Sequence, residues 1–141
     1  MTELSKQQCP AADINIADAI RNHLFGNRGP DEDLISRNLQ RGRDHGIPSY
    51  GVLREACQLG KLTGRPAEIA ANKWQALMTV YQNNHSNIDA FTGGLAEDTP
   101  DDGLVGPLFS CIIKKQFLAL RDGDRYFFTH PAGDKSKSKG L

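Results

Sequence analysis

Four side chains in the segment 34–45 are spaced so that they could act together on one face of a helix. Leu34, Asn38, Arg41 and His45 follow each other at intervals of 4, 3 and 4 residues. At 3.6 residues per turn they fall within about 60° of arc. This face presents an apolar group, an amide, a guanidinium and an imidazole, where amphipathic helices ordinarily place apolar residues. It contacts either water or a polar ligand, and the spacing alone leaves both interpretations open.

The other candidates for chemistry are weaker. The histidines His23, His85 and His130 do not form a pair with metal-ligand spacing, and the chain contains neither a CxxC pair nor a G-x-S-x-G nucleophile motif. Trp74 lies at an apolar helical position and is expected in the core rather than against a cofactor. We therefore expect no metal site and no hydrolase.

The polar residues of this face belong to the segment NLQRGRDHGIPSY at 38–50, which resembles the signature segment of the animal haem peroxidases. Three further blocks match the family in the same order: REAC at 54–57, NID through GGLAE at 87–97, and VGP through LRDGDRYF at 105–127. The resemblance implies a mainly α fold, a partial animal haem peroxidase-like helical domain from the C-terminal half of a larger one.

This resemblance covers about residues 14–128, the expected domain. Residues 1–13 form an N-terminal lead-in, and 129–141 form a Lys/Ser-rich tail that has little to bury and is expected to be disordered.

The resemblance also implies roles for the polar face. A haem peroxidase uses an iron with one histidine ligand, whose second ring N–H needs an acceptor that fixes its tautomer. By resemblance Asn38 is that acceptor, Arg41 binds a haem propionate at two points, and Leu34 forms part of the apolar haem wall. His45 resembles a structural member of the motif rather than an iron ligand.

The family's axial histidine and its distal histidine and arginine correspond to positions before residue 1, so the resemblance implies no catalytic residue on this chain. It predicts part of a peroxidase that binds haem and oxidises a small electron donor with hydrogen peroxide, and no activity of this polypeptide alone. An alternative of another class stays open: a short, non-enzymatic relative that binds a partner through its helical surface.

The cysteines and a glycosylation sequon indicate the cellular compartment in which the protein resides. Cysteine counting favours buried thiols, but the resemblance implies a disulfide between Cys57 and Cys111 and leaves Cys9 without a counterpart. Asn84 begins a glycosylation sequon, Asn-His-Ser, in a polar run. The resemblance implies an extracellular protein, although residues 1–20 lack the apolar core of a signal peptide.

Charge and hydropathy exclude two function classes. Seventeen Lys and Arg balance seventeen Asp and Glu among 141 residues, which argues against a general nucleic-acid binder. No stretch approaches the roughly 18 apolar residues of a membrane span.

Apolar spacing predicts the elements that position these residues. The predicted helices lie at about 14–25, 31–45, 49–58, 66–81 and 105–121. We expect a polar connection over 82–103 with only a short turn near 88–91, and an extended segment at 125–128.

The last predicted helix is apolar around most of its circumference and leaves mainly Lys114, Lys115 and Gln116 for water. Such a helix belongs in the interior of a large protein. A small bundle with both lysines at its surface is the alternative; we favour an enclosing structure that is only partly present in this sequence.

Overall fold

Helices make up nearly all regular structure in the part of the chain that the computed structural model describes, namely residues 6, 13–26 and 32–130. Their order is α1 (Asp18–Arg21), α2 (Leu34–Asp44), α3 (Tyr50–Ala56), α4 (Ala71–Val80), a 3₁₀ helix (His85–Asn87), α5 (Ala90–Ala96) and α6 (Pro107–Gly123). One isolated antiparallel bridge, between Ser49 and Asp89, joins two of the connections. The expectation of a mainly α fold is confirmed.

Local side-chain chemistry sets both ends of α2. The Asp33 carboxylate accepts hydrogen bonds from the Ile35 N–H (2.8 Å) and the Ser36 hydroxyl (2.7 Å), so the helix begins at Leu34 rather than at 31. The bond from Ser36 holds the pKa of Asp33 below its ordinary value. At the other end His45 is the C-cap, and Gly46 follows with φ of 66°, a conformation that glycine adopts without strain.

The existence of α5 overturns the expectation of a polar connection with only a short turn. Two consecutive glycines weaken the helical signal of this segment, but both are required by packing. A Cβ on Gly93 would lie 2.3 Å from Cγ of Tyr50, and one on Gly94 would lie 2.4 Å from Cε1 of Phe109. The glycines therefore let α5 pack closely against α3 and α6.

The core lies where α3, α4, α5 and the start of α6 meet. Its largest fully buried side chains are Tyr50, Ile69, Ile88 and Leu108. Trp74 packs against this cluster, as expected for a core residue.

A disulfide joins Cys57, the C-cap of α3, to Cys111 in α6, with 6.1 Å between the Cα atoms. This is the pair that the resemblance implies. Because it closes a loop of 54 residues, it stabilises the fold by about 4 kcal/mol in the chain-entropy model.

Two helix boundaries and one predicted extended segment also differ from the sequence-based expectation. Helix α1 is a single turn, and α4 begins at Ala71, because the backbone turns first between Pro66 and Ile69. The extended segment expected at 125–128 is wrong: the chain turns there, with hydrogen bonds from the Phe127 N–H to Asp124 and from the His130 N–H to Phe127. Short polar residues around the aromatic ones favour turns over pairing.

Two expectations concern residues outside the described ranges. Most of the lead-in 1–13, with Cys9, and the tail from 131 onwards fall there. Among the helices of the described ranges, none is long and apolar enough to cross a membrane.

Candidate functional site

The polar face of α2 borders a cleft of about 360 Å³ between α2 and the start of α5. Asn38 is half-buried and Arg41 is exposed. Both line the cleft, together with Leu39, Gly42, Ile47, Asp89, Ala90 and Phe91. Within the described residues the Asn38 amide and the Arg41 guanidinium have no hydrogen-bond or ion-pair partner, so both are available to a ligand.

The other two members of the predicted face lie beside the cleft rather than in its lining. Leu34 is half-buried in the first turn of α2, and His45 is exposed at its C-cap. The structure thus brings together two of the four residues, the amide and the guanidinium.

The groups in the cleft suit an imidazole and a carboxylate. An amide oxygen accepts a hydrogen bond from a ring N–H, and a guanidinium binds a carboxylate at two points. Phe91 and Ala90 add apolar surface of the kind that a porphyrin requires. Among the described residues no group of three or more His, Cys, Asp or Glu side chains could hold a metal ion.

An ion pair fixes the cleft at one end. Arg43, in the last turn of α2, donates to both carboxylate oxygens of Asp89, with Nε–Oδ1 of 2.9 Å and Nη2–Oδ2 of 2.7 Å. Asp89 is the N-cap residue of α5 and only 16% of its side chain is exposed. The guanidinium holds the pKa of the Asp89 carboxyl below its ordinary value.

A tyrosine brings α4 into the same junction. The Tyr81 hydroxyl donates to Oδ2 of Asp89 at 2.8 Å, accepts from the Asp89 N–H at 3.3 Å and lies 3.1 Å from Oγ1 of Thr92. Burial raises the pKa of the Tyr81 hydroxyl. Asp89 therefore ties α2, α4 and α5 together, which sets the distance between the two walls of the cleft.

A second polar cluster is buried in the core, and sequence reasoning missed it. Oε1 of Glu97 accepts from the Tyr50 hydroxyl at 2.8 Å and from Nη1 of Arg54 at 3.3 Å, while Oε2 accepts from the Leu108 N–H at 2.7 Å. Burial raises the pKa of Glu97 and that of Tyr50. The cluster joins α3, the end of α5 and the start of α6, so its role is to hold the helices together.

Glycine again permits the close approach. A Cβ on Gly106 would lie 2.4 Å from Cβ of Glu97. Gly106 lies in the VGP block and Glu97 lies in the GGLAE block. That both residues belong to blocks matching the family is the sequence signal from which the contact could have been suspected.

The sequon residue Asn84 is exposed and is the N-cap residue of the 3₁₀ helix. Gln82 and Asn83 precede it with φ of 52° and 60°, and Oδ1 of Asn84 accepts the Ser86 N–H at 3.1 Å. The amide nitrogen of Asn84 has no hydrogen bond among the described residues.

Comparisons with known proteins agree with the motifs. A family model described as animal haem peroxidase matches residues 1–139. Thyroid peroxidase of Mus musculus is 50% identical over an alignment of 101 residues that covers 68% of this chain and 11% of that protein. Peroxidasin of Drosophila melanogaster is 40% identical over an alignment of 102 residues that covers 70% of this chain and 7% of that protein.

A solved structure is similar as well. Peroxidase A from Dictyostelium discoideum matches with a TM-score of 0.76 and 38% identity, over 86% of this chain and 24% of that one. The chain thus spans about a quarter of this structural relative, and 7% to 11% of the two curated relatives.

Proposed function

The chain belongs to the animal haem peroxidase family, and we propose that it forms the proximal wall of the haem pocket in a peroxidase that oxidises small electron donors with hydrogen peroxide. The main support is the cleft beside α2, where the Asn38 amide and the Arg41 guanidinium lie without a partner among the described residues. The activity is that of the whole protein, of which this chain provides one part.

Asn38 orients the imidazole that ligates the iron. Haem bound through a histidine and held beside Asn38 and Arg41 would supply the redox chemistry that breaks the O–O bond of hydrogen peroxide. The Asn38 oxygen accepts the hydrogen bond from the other ring N–H of that histidine and so fixes its tautomer. Because an amide is neutral, it leaves the imidazole less anionic than a carboxylate would, which favours a higher reduction potential.

Arg41 anchors the cofactor at its polar edge. It lies one turn beyond Asn38 on the same face and is exposed, so its guanidinium can bind a haem propionate where that group meets solvent. Leu34, one turn before Asn38, contributes apolar surface beside the porphyrin. Asn38 and Arg41 in the cleft, with Leu34 beside it, would thus meet the polar and apolar parts of one ligand.

The acid–base chemistry belongs to other parts of the domain. Breaking the O–O bond requires a base that moves a proton between the two oxygens and a cation that stabilises the developing charge. We propose that these groups and the iron ligand come from parts of the peroxidase domain other than residues 1–141. We therefore expect that this polypeptide with added haem turns over peroxide no faster than free haem.

The test uses a chimera in which residues 32–123 replace the matched segment of the Dictyostelium peroxidase A. Asn38→Asp should lower the reduction potential of the haem iron, because a carboxylate partner makes the imidazole more anionic. Gln40→Glu is the matched control: it introduces the same charge on the exposed side of α2 and should leave the potential unchanged. Equal potentials in wild type and Asn38→Asp would contradict the proposal.

One observation favours the alternative of a non-enzymatic module that binds a protein partner. The second half of α6 is exposed and carries large apolar side chains. This alternative requires a chimera whose haem properties do not respond to Asn38. The chimera above therefore separates the two functions.

We further propose that the protein is extracellular and carries a glycan at Asn84. The Cys57–Cys111 disulfide supports an oxidising compartment. The exposure of Asn84 and its free amide nitrogen support modification at the sequon.

A further inference from the structure

A second cleft, of about 540 Å³, adjoins the candidate haem site. Its lining includes the exposed apolar side chains of Ile47, Pro48 and Val80, together with Tyr81 and Asp89. Ile47 and Asp89 also line the cleft beside α2, so the two clefts share a wall. We refer to this second space as the outer cleft.

Tyr81 lines the outer cleft and donates its hydroxyl hydrogen to a carboxylate. The hydroxyl lies 2.8 Å from Oδ2 of Asp89 and 3.1 Å from Oγ1 of Thr92. A hydrogen bond of 2.8 Å is within the range over which a side chain accepts a proton. The Tyr81 side chain is half-buried and packs against the core, and burial raises the pKa of its hydroxyl. The phenol is therefore protonated at neutral pH and has a base next to it.

The other two tyrosines of the chain lack one part of this arrangement each. Tyr50 donates to Oε1 of Glu97 at 2.8 Å, but it is fully buried, so no dissolved donor reaches it. Tyr126 is 77% exposed, but among the described residues its hydroxyl contacts the guanidinium of Arg125, which is not a base. Tyr81 thus combines a hydrogen-bonded carboxylate with a place in an open cleft.

We propose that Tyr81 is a redox-active catalytic residue that passes electrons from phenolic donors in the outer cleft to the haem, with Asp89 as the acceptor of its proton. This inference rests on the proposed function. A phenol fits the outer cleft, because its ring can pack on Pro48 and Val80 while its hydroxyl can reach Arg43 in the same lining. Such a site lets a donor react without entering the haem pocket.

Oxidation of Tyr81 separates an electron from a proton. One electron leaves the phenol ring for the haem that hydrogen peroxide has oxidised, and the hydroxyl proton moves to Oδ2 of Asp89. A neutral phenoxyl radical is left at Tyr81. An oxidised phenol is a far stronger acid than a carboxylic acid, so the proton moves although Arg43 holds the pKa of Asp89 below its ordinary value. The same low pKa favours return of the proton afterwards.

A phenolic donor then restores Tyr81. The donor in the outer cleft gives one electron to the Tyr81 radical, and Asp89 returns its proton to the Tyr81 oxygen. The donor releases its own hydroxyl proton to water and leaves as a phenoxyl radical. Two such cycles supply the two electrons and two protons that reduce one hydrogen peroxide to two waters.

The first test locates the radical in the chimera that carries residues 32–123. One equivalent of hydrogen peroxide is added with a nitroso spin trap and without a donor, and peptide mass spectrometry identifies the labelled residues. We expect a label on Tyr81 in wild type and in Thr92→Val, which keeps both the phenol and the carboxylate. Asp89→Asn keeps a hydrogen-bond acceptor but no base, and should reduce the label on Tyr81 at least tenfold.

The second test measures the use of the outer cleft by a donor. Tyramine coupled to dextran presents a phenol that cannot enter the haem pocket, whereas iodide is small enough to do so. The ratio of tyramine–dextran oxidation to iodide oxidation should fall at least tenfold in Tyr81→Phe and should stay at the wild-type value in Thr92→Val. Tyr81→Phe removes one hydroxyl from a half-buried side chain, so the chimera should fold, which circular dichroism checks.

Three results would overturn the proposal. They are the absence of a label on Tyr81 in wild type, an undiminished label in Asp89→Asn, and an unchanged oxidation ratio in Tyr81→Phe. Asn38→Asp separates this inference from the proposed function. If the reduction potential ignores Asn38 while the label on Tyr81 depends on Asp89, the role of Asn38 fails and that of Tyr81 stands. If the potential responds to Asn38 and Tyr81 stays unlabelled, the reverse holds.

Discussion

Arg43 and Asp89 are 46 residues apart in sequence and form a bidentate ion pair that ties the end of α2 to the start of α5. The cleft that contains Asn38 and Arg41 lies between these two helices. The ion pair therefore helps to set the shape of the candidate site.

Removing the Asp89 carboxylate should destabilise the fold. Asp89→Ala leaves the Tyr81 hydroxyl and Arg43 without their acceptor, and hydrogen bonds to a charged group contribute about 2 kcal/mol. We expect a loss of about that size in the free energy of unfolding, measured by urea titration. Asp44→Asn, at the exposed last residue of α2, is the control and should change stability little. A loss of equal size in both variants would contradict the claim that Asp89 stabilises the junction of α2, α4 and α5.

The same pair predicts a pH dependence with a definite sign. The pKa of Asp89 is held below 3.8 in the folded chain, so its contribution is present at neutral pH and disappears as pH falls through the lowered pKa. The difference in stability between wild type and Asp89→Asn should therefore shrink between about pH 5 and pH 2. A difference that is constant or grows over this range would show that the carboxylate charge is not what stabilises the junction.

Two glycines should respond in opposite directions to the same substitution. Gly93→Ala places a methyl group 2.3 Å from Cγ of the buried Tyr50, and overpacking of this kind costs about 1–3 kcal/mol. Gly42→Ala meets nothing within 4 Å in the interior of α2, and should stabilise by about 0.5–1 kcal/mol through helix propensity. Thermal unfolding of both variants gives the comparison; equal shifts would contradict the packing of α5 on α3.

Glycosylation at Asn84 has a direct readout. Expressed in secretory cells behind an added leader, the chain should lose mass on treatment with peptide N-glycosidase, and Asn84→Gln and Ser86→Ala should abolish that loss. Asn83→Gln changes the neighbouring residue outside the sequon and should keep it. An unmodified wild-type chain recovered from the medium would exclude this site.

Sequence predicted those parts of the molecule whose signal is local. The face of Asn38 and Arg41 follows from helical spacing within one helix, and both residues line the cleft in the structure. The resemblance added the Cys57–Cys111 pair, which spacing alone did not indicate.

Features that depend on distant contacts were missed. Helix α5 was not predicted because Gly93 and Gly94 lower helix propensity. Each glycine leaves room for an aromatic ring of a neighbouring helix, namely Tyr50 of α3 and Phe109 of α6. The bond between Tyr50 and Glu97 spans 47 residues, so no periodicity reports it. Propensity and pattern describe one element at a time, whereas close helix packing depends on pairs of elements.

The central claim is that the Asn38 amide orients the imidazole that ligates the haem iron. The most direct measurement is the iron–histidine stretching frequency, by resonance Raman spectroscopy of the ferrous Dictyostelium chimera that carries residues 32–123. The account predicts a higher frequency in Asn38→Asp, a lower one in Asn38→Leu and no change in Gln40→Glu. An identical frequency in all four proteins would contradict it.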